Sequence, residues 1–565
     1  MAEPLGYGPD GKREYRSLTF RELDEDSDRI AAGLKRMGVQ RGTRIAILIP
    51  QSIEFVSIVF GLYKSGATTI LIDPGMGPKR MLQCLADADP EGFIAIPKAH
   101  IIRKIMRLIG CEPAQQGHAD LQGRTSAKRR IGFKRGWCPN AKFNVTVGRR
   151  LFWGGPTLKQ FRAAPHEGPC TEHTAPDDQA AIIFTSGSTG PAKGVGYSHR
   201  NFDTQVEEIQ GRYDIQPGEV DVPGFPLFGL FSCAMGVTSI IPDMDPTRPA
   251  DVDPKKYLEA INDWKATQSF ASPALWNKVS LYCGANDIHI KTLRRVVTAG
   301  APVPYPVLER MKRHLHEEAE LHTPYGATES LPVASISASE VLSETWRKTA
   351  EGGGVCVGRR FPKIEWRIIP ITDEPIEKLE DVDPLPNGEI GEIAVCGPVV
   401  TKRYVTRVDA NATAKMIDAQ GRTWHRMGDV GLLDDQDRFW FHGRKAHRLQ
   451  TENGPMFTIP CEAIFNQHEK VFRSALVGVG KSGKQQPVLI VEMLPDVKLD
   501  SKADRDQLRT ELEKIASSND LTRSIETFMV HLSFPVDIRH NAKIFREKLT
   551  VWATEELASS SEAVL

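Results

Sequence analysis

The chain has 565 residues, too many for one compact core, so a large multi-lobed domain with at least one smaller domain is expected. Its 72 basic and 72 acidic residues balance, which removes any global electrostatic reason to bind nucleic acid or an anionic membrane. The 9 cysteines form no Cys-x-x-Cys pair, so metal clusters and disulfide frameworks are not expected and a reducing cytoplasmic setting is.

Met1 to Gly8 lacks the basic and apolar regions of a signal peptide. Thr19-Phe20-Arg21-Glu22 then reads as a capping box, and Phe20, Leu23, Ile30, Ala31, Leu34 and Met37 recur at helical spacing up to Gly38, a C′ stop. Arg44 to Ile49 predicts a strand, Glu54 to Lys64 a helix, Ala67 to Ile72 a strand and Pro78 to Ala88 a helix. This alternation implies a parallel sheet with helices on its faces. From Gly110 to Arg150 the periodicity dissolves into a basic stretch with interleaved Phe133, Trp137 and Phe143. Such a stretch could meet phosphates, acidic partners or a membrane surface, but a solvated, partly mobile insertion is the favoured reading, and nucleic-acid binding is not expected.

Ala180 to Phe184 is an apolar strand that empties into Thr185-Ser186-Gly187-Ser188-Thr189-Gly190-Pro191-Ala192-Lys193-Gly194. The glycines let successive amides converge on an anion, the hydroxyls add donors, and Lys193 adds positive charge. A flexible linker is the alternative, although linkers do not normally sit between two apolar strands. Lys193-Gly194 leads into the strand-like Val195 to His199, unlike the Walker arrangement, which opens a helix.

Phe202 to Tyr213 predicts a helix. The uncharged apolar run Leu227 to Ile241 falls short of the ~18 residues of a membrane span and reads as a buried helix or the wall of an apolar tunnel. Lys291 to Val297 enters the turn Thr298-Ala299-Gly300-Ala301-Pro302, and Glu320 to Thr323 enters the loop Pro324-Tyr325-Gly326-Ala327-Thr328-Glu329. Both lie at strand ends, where open α/β sheets hold ligands. Beyond Gly352-Gly353-Gly354, short alternating runs such as Ile364 to Ile369 and Glu392 to Cys396 predict a small β-rich lobe. After Gly443 an α+β pattern follows, with strands at Ala475 to Gly478 and Val488 to Met493 and a helix at Asp504 to Ala516. A domain boundary is expected near Ala446. The polar loop Asp537 to Lys543 delivers a lysine just before the closing helix.

Taken in order, TSGSTGPAKG at Thr185 to Gly194, YGATE at Tyr325 to Glu329, GEIGE at Gly388 to Glu392, WHRMGD at Trp424 to Asp429, GRK at Gly443 to Lys445 and NAKI around Lys543 resemble the adenylate-forming superfamily. That family includes acyl-CoA synthetases, luciferases and peptide-synthetase adenylation domains. The resemblance implies an α/β protein: a large multi-lobed adenylation domain with doubly wound sheets and a small β-rich lobe over 1–445, and a small mobile α+β domain over 446–565. It implies ATP and Mg²⁺ as cofactors, with Thr185, Ser186, Gly187, Ser188, Thr189, Gly190 and Lys193 holding phosphates. Glu329 would hold Mg²⁺, Thr328 would contact the α-phosphate, and Tyr325 with Gly326 would lie against the adenine opposite Gly300, Ala301 and Pro302. Asp429 would accept the ribose hydroxyls, Arg444 would brace the ribose and the domain junction, and Lys543 would reach in from the mobile domain. Singly, Asp429 could cap a turn, Tyr325 could be core and Lys543 a surface lysine.

Departures narrow the branch. Ala192 and Thr323-Pro324 are unusual, Ala446 stands where thioester formers carry a hinge Asp or Lys, and Asn453 to Glu462 and Phe228-Gly229 differ from regions that serve CoA. With Asp73 to Gly77, Thr146 to Arg150, His322 to Tyr325 and Arg539 to Lys543, the chain looks most like the β-lactone synthetases of bacterial long-chain olefin biosynthesis. The resemblance then implies a 2-alkyl-3-hydroxy fatty acid as substrate, closed to a β-lactone without CoA. Two alternatives stand beside it: a fatty acyl-CoA ligase, and a catalytically silent nucleotide-binding subunit of a biosynthetic assembly. The expected partner is the small-molecule fatty acid, with no nucleic acid and no membrane span; association with other olefin-pathway enzymes and completeness of the N-terminus are left open.

Overall fold

The computed structural model describes residues 1–109, 137–166, 168–186, 190–536, 544–559 and 563–565. The chain divides into two compact units, one of Met1–Asp203 with Lys402–Asp409 and one of Thr204–Thr401 with Ala410–Leu565.

In the first unit a six-stranded sheet runs in the order Phe143–Thr146, Gly92–Ala95, Arg44–Leu48, Thr68–Leu71, Gln179–Phe184, Gly194–Ser198. All neighbours are parallel except the last pair. Helices Phe20–Arg36, Ile53–Lys64 and Pro78–Ala88 follow from the sequence pattern almost residue for residue. The first is closed at both ends. Thr19 accepts from the Glu22 amide while Glu22 accepts from the Thr19 amide, and Gly38, at φ +87°, lets the Val39 and Gly38 amides return to the carbonyls of Leu34 and Lys35. The stretch expected to lack periodicity contains the edge strand Phe143–Thr146 and the buried Trp137, so its described part, residues 137–150, belongs to the fold. Residues 110–136 of that stretch lie outside the described residues.

In the second unit a twelve-stranded sheet begins with five parallel strands, ordered Thr238–Ser239, Val220–Asp221, Gln268–Ala271, Arg295–Thr298 and Glu320–Ala327. It continues antiparallel through Ser330–Ser337, Val355–Arg360, Arg438–Arg444, Thr423–Leu433, Gly391–Cys396 and Glu365–Ile369, with Lys415–Ile417 beside Thr423–Leu433. Two sequence expectations are corrected here. The apolar run from Leu227 is not one element: helix Pro226–Ala234 ends, a turn at Met235-Gly236 intervenes, and strand Thr238–Ser239 follows. The loop expected from Pro324 is mostly strand, because Glu320–Ala327 pairs with Ser330–Ser337 as far as Ala327 opposite Ser330. Pro324 hides this, since it lacks a ladder N–H and usually marks a strand's limit.

Toward the C-terminus, Val471–Val479, Gln486–Met493 and Thr527–Val530 form a three-stranded sheet. Alternate residues face opposite ways. Leu476, Leu489 and Val491 pack with Phe465, Leu508 and Leu512, while Ala475, Val477, Val488 and Ile490 pack with Leu549 and Ala553. Both faces are therefore covered by helices, and each fully buried Leu or Val contributes about 1.5–3 kcal/mol.

Candidate active site

In the first unit, the strand Gln179–Phe184 and its antiparallel partner Gly194–Ser198 hold the two ends of the loop expected to meet phosphates. The Thr185 amide donates to the Lys193 carbonyl (3.0 Å), and the Lys193 amide donates to the Thr185 hydroxyl (3.1 Å). The loop is thus pinned at its base while Ser186 and Gly190 are exposed. The returning segment Lys402–Asp409 supports it from elsewhere in the chain. Thr406 Oγ1 accepts from the Gly194 amide (2.7 Å), and Lys193 Nζ lies 4.9 Å from the centroid of the buried Tyr404 ring. Sequence reasoning missed Tyr404 and Thr406, which carry no local signal and stand more than two hundred positions from the loop. Gly187, Ser188, Thr189 and Lys543 lie outside the described residues.

In the second unit the expected nucleotide-binding residues collect at strand ends. Asp429 and Arg444 are directly opposite each other in the pairing of Thr423–Leu433 with Arg438–Arg444. Arg444 Nη1 lies 3.1 Å from Asp429 Oδ1 and donates to the Met427 carbonyl (3.2 Å). The Tyr325 hydroxyl donates to Asp429 Oδ2 (2.5 Å), and its ring packs 5.7 Å from that of Phe439. Burial and the neighbouring Asp429 carboxylate hold the Tyr325 phenol well above its ordinary range, so it stays a donor. Gly326 occupies a bulge between Tyr325 and Ala327, where a Cβ would come within 2.8 Å of the Ser330 carbonyl oxygen. Only glycine fits there without moving backbone, which fixes the orientation of Tyr325.

Thr328 and Glu329 form the turn of the same hairpin. The Glu329 carbonyl accepts from both the amide (3.0 Å) and the hydroxyl (2.9 Å) of the fully buried Thr401. The Thr401 carbonyl in turn accepts from Lys415 Nζ (2.6 Å), whose amine burial pushes down to about 7 against the opposing pull of the Glu329 carboxylate. Neither Thr401 nor Lys415 is visible as a site residue in the sequence. Gly300, Ala301 and Pro302 follow strand Arg295–Thr298, the parallel neighbour of the strand that carries Tyr325. Tyr325, Asp429 and Arg444 are thus in direct contact, Thr328 and Glu329 are on the same hairpin as Tyr325, and Gly300 to Pro302 adjoin it. Glu329 supplies hard oxygen alone, with no nitrogen or sulfur donor in its turn, which suits Mg²⁺ shared with phosphate oxygens.

Comparison with known proteins matches this arrangement to a family. The model of the AMP-binding enzymes matches residues 7–405. The olefin β-lactone synthetase of Xanthomonas campestris pv. campestris is 43% identical over 559 residues, covering 98% of this chain and 94% of that protein. That of Stenotrophomonas maltophilia is 43% identical over 546 residues, covering 96% and 92%. Among solved structures, O-succinylbenzoate coenzyme A synthetase of Bacillus subtilis in complex with ATP and magnesium ion superposes with a TM-score of 0.68 at 19% identity, covering 94% of each chain. That likeness carries the fold: a large α/β adenylation domain with a small C-terminal domain. The chain, an adenylate-forming ligase, belongs to the AMP-binding enzyme family, in the branch of the olefin β-lactone synthetases.

Proposed function

We propose that this protein adenylates a 2-alkyl-3-hydroxy fatty acid with ATP and closes it to a β-lactone, releasing pyrophosphate and AMP. The observation that carries the reading is the 43% identity with two olefin β-lactone synthetases along nearly the whole chain. A carboxylate oxygen of the acid attacks the α-phosphorus of ATP; the bond from that phosphorus to the bridging β-oxygen breaks, and pyrophosphate leaves. The 3-hydroxyl oxygen of the same substrate then attacks the acyl carbon. The bond from that carbon to the phosphate oxygen breaks, AMP leaves with the electron pair, and the hydroxyl proton passes to solvent. Because nucleophile and electrophile belong to one molecule, a high effective molarity offsets part of the ring strain. The protein's task is to hold and to polarise, without a covalent enzyme intermediate.

In this reading Thr185, Ser186, Gly187, Ser188, Thr189, Gly190 and Lys193 cradle the phosphates, and Thr328 donates to the α-phosphate. Tyr325 and Gly326 back the adenine opposite Gly300, Ala301 and Pro302. Asp429 accepts the ribose hydroxyls; its hydrogen bond from Tyr325 and its pairing with Arg444 support this role by fixing the carboxylate. Glu329, its backbone fixed by Thr401, is the carboxylate that would hold Mg²⁺, an ion that supplies charge to offset the phosphates. Lys543, on a domain of residues 446–565 that moves about Ala446, stabilises charge between the carboxylate and the α-phosphate.

The test is incubation with ATP, Mg²⁺ and a 2-alkyl-3-hydroxy acid, with and without CoA, followed by mass spectrometry of the products. Lactone without CoA is expected. A CoA thioester as the product would assign the chain to acyl-CoA ligation instead, and absence of pyrophosphate release with any such acid would mark a silent nucleotide-binding subunit.

A further inference from the structure

The segment Lys402–Asp409 belongs to the first unit although more than two hundred positions separate it from the loop 185–194. It runs antiparallel beside strand Gly194–Ser198. The Val405 amide donates to the Gly194 carbonyl (2.8 Å), the Gly196 amide donates to the Arg403 carbonyl (3.2 Å), and Val195 stands opposite Tyr404. Arg407 ends this stretch with φ at +51°. That is the left-handed region, where glycine sits without strain and a long side chain is disfavoured. An arginine where glycine would suit the backbone better is explained by work that its side chain does.

The Arg407 guanidinium reaches back across 215 positions, donating from Nε to the Ala192 carbonyl (3.2 Å) and from Nη2 to Asp87 Oδ2 (3.1 Å). Asp87 is held in turn by Gln83, one turn earlier on helix Pro78–Ala88, whose Nε2 donates to Oδ1 (2.6 Å). Ala192 itself is buried in the core cluster that contains Cys84, Leu85 and Ala88 of the same helix. The consequence falls on Lys193. A peptide unit is planar, so holding its oxygen and its N–H holds the whole plane. Before Lys193, the Ala192 oxygen is held by Arg407 and the Lys193 N–H by the Thr185 hydroxyl (3.1 Å). After it, the Lys193 oxygen is held by the Thr185 amide (3.0 Å) and the Gly194 N–H by Thr406 Oγ1 (2.7 Å). With both planes fixed, φ and ψ of Lys193 are fixed, and so is the direction in which its side chain leaves the backbone. Three of these four bonds come from Thr185 and Thr406, and Arg407 closes the frame. Its charge is answered by Asp87, so it acts through the loop. Resting on the reading of Lys193 as a phosphate ligand, we propose that Arg407 is a positioning residue for ATP: by holding the Ala192 carbonyl it sets the direction of the Lys193 side chain.

Calorimetric titration of the full-length protein with α,β-methylene-ATP and Mg²⁺ reads binding without turnover, and adenosine, which carries no phosphate, is the reference ligand. Arg407→Gly suits the left-handed φ, so its thermal midpoint should stay within about 3 °C of the parent. Its Kd for the triphosphate should nevertheless rise about tenfold, with that for adenosine unchanged. Arg407→Lys keeps a charge beside Asp87, but one nitrogen cannot serve both acceptors, so the Kd should stay raised by at least about threefold. Lys193→Ala should raise the same Kd, and adding Arg407→Gly to it should cost less than about twofold more, because the group being positioned is gone. An unchanged triphosphate Kd in Arg407→Gly, full recovery in Arg407→Lys, equal weakening of adenosine, or fully additive losses in the double variant overturns the proposal while leaving the Lys193 defect, and with it the phosphate reading, intact. Parent-like triphosphate binding by Lys193→Ala removes that reading, and the proposal falls with it.

Discussion

Glu392→Gln should destabilise the second unit by about 3–5 kcal/mol. The carboxylate is 1% exposed, and its Oε2 accepts from Arg426 Nη2 (2.6 Å), Arg426 Nε (3.1 Å) and Lys445 Nζ (2.9 Å). Arg426, likewise 1% exposed, donates also to the Glu374 and Thr372 carbonyls (2.8 and 2.5 Å). One buried anion therefore serves two cations, and each pairing at about 4 Å between charge centres is worth on the order of 4 kcal/mol at an effective dielectric of about 20. Glutamine keeps the volume and one acceptor but leaves both cations uncompensated, which is the costly way to break a buried pair. Urea unfolding at equilibrium, followed by tryptophan fluorescence, should show a lower midpoint at unchanged slope. The triple variant Glu392→Met, Arg426→Met, Lys445→Met should lose less than the single one, because it leaves no orphaned charge. A single variant within about 1 kcal/mol of the parent, the range of an exposed pair, would refute the reasoning. The network also ties down the residue before Ala446, the proposed pivot, so its loss should loosen the segment that orients Arg444.

Asp429→Asn keeps an acceptor for Tyr325 but exchanges charge-assisted hydrogen bonds for neutral ones, a loss of about 1–3 kcal/mol. That corresponds to a drop of roughly 5- to 150-fold in kcat/KM for ATP, measured by ATP–pyrophosphate exchange; a change under about threefold would remove Asp429 from ribose binding. Asp221 is fully buried beside Ser232, and burial pushes its carboxyl up from 3.8 to about 7. Its folded pKa is raised, so between about pH 4 and 7 the folded state binds more protons than the unfolded one, and the contribution of this group to stability falls as pH rises through that window. Asp221→Asn should therefore gain stability relative to the parent between pH 4 and 8, read from parallel unfolding curves; a pH-independent difference would contradict the assignment.

The fold was most legible where local chemistry and tertiary burial agree. Helix Pro78–Ala88 starts on a proline that suits the first turn, and helix Phe20–Arg36 is bracketed by Thr19 and Gly38, so their limits could be read from punctuation. From sequence alone, strand Glu320–Ala327 reads as shorter than it is, because Pro324 and Gly326 resemble loop residues. In the fold, the bulge at Gly326 and the pairing with Ser330–Ser337 override that preference. The run from Leu227 misled in the opposite direction: uniform hydrophobicity carries no period, so it cannot tell one long element from a helix and a strand on either side of a turn.

The site divides along the same physical line. Asp429 and Arg444 stand fifteen positions apart on adjacent antiparallel strands, a separation that a hairpin brings into register, so their meeting follows from local pairing. Tyr325 reaches Asp429 across 104 positions and Thr406 reaches Gly194 across 212, distances over which sequence pattern holds no information and only the packed sheets make the contact. The supporting groups were hidden for a further reason. Thr401 acts through its amide and hydroxyl on the carbonyl of Glu329, and Lys415 acts on the carbonyl of Thr401, so neither displays a side-chain motif of its own. What the hydrogen bonds hold in place is the backbone of the turn. The carboxylate proposed to meet a hard cation at a fixed point would need that backbone to be immobile, and Thr401 holds it without touching the carboxylate's oxygens. Thr401 and Lys415 are thus silent in the sequence because they act on main-chain carbonyls, and Tyr404 is silent because its ring meets Lys193 only through the packing of a distant segment.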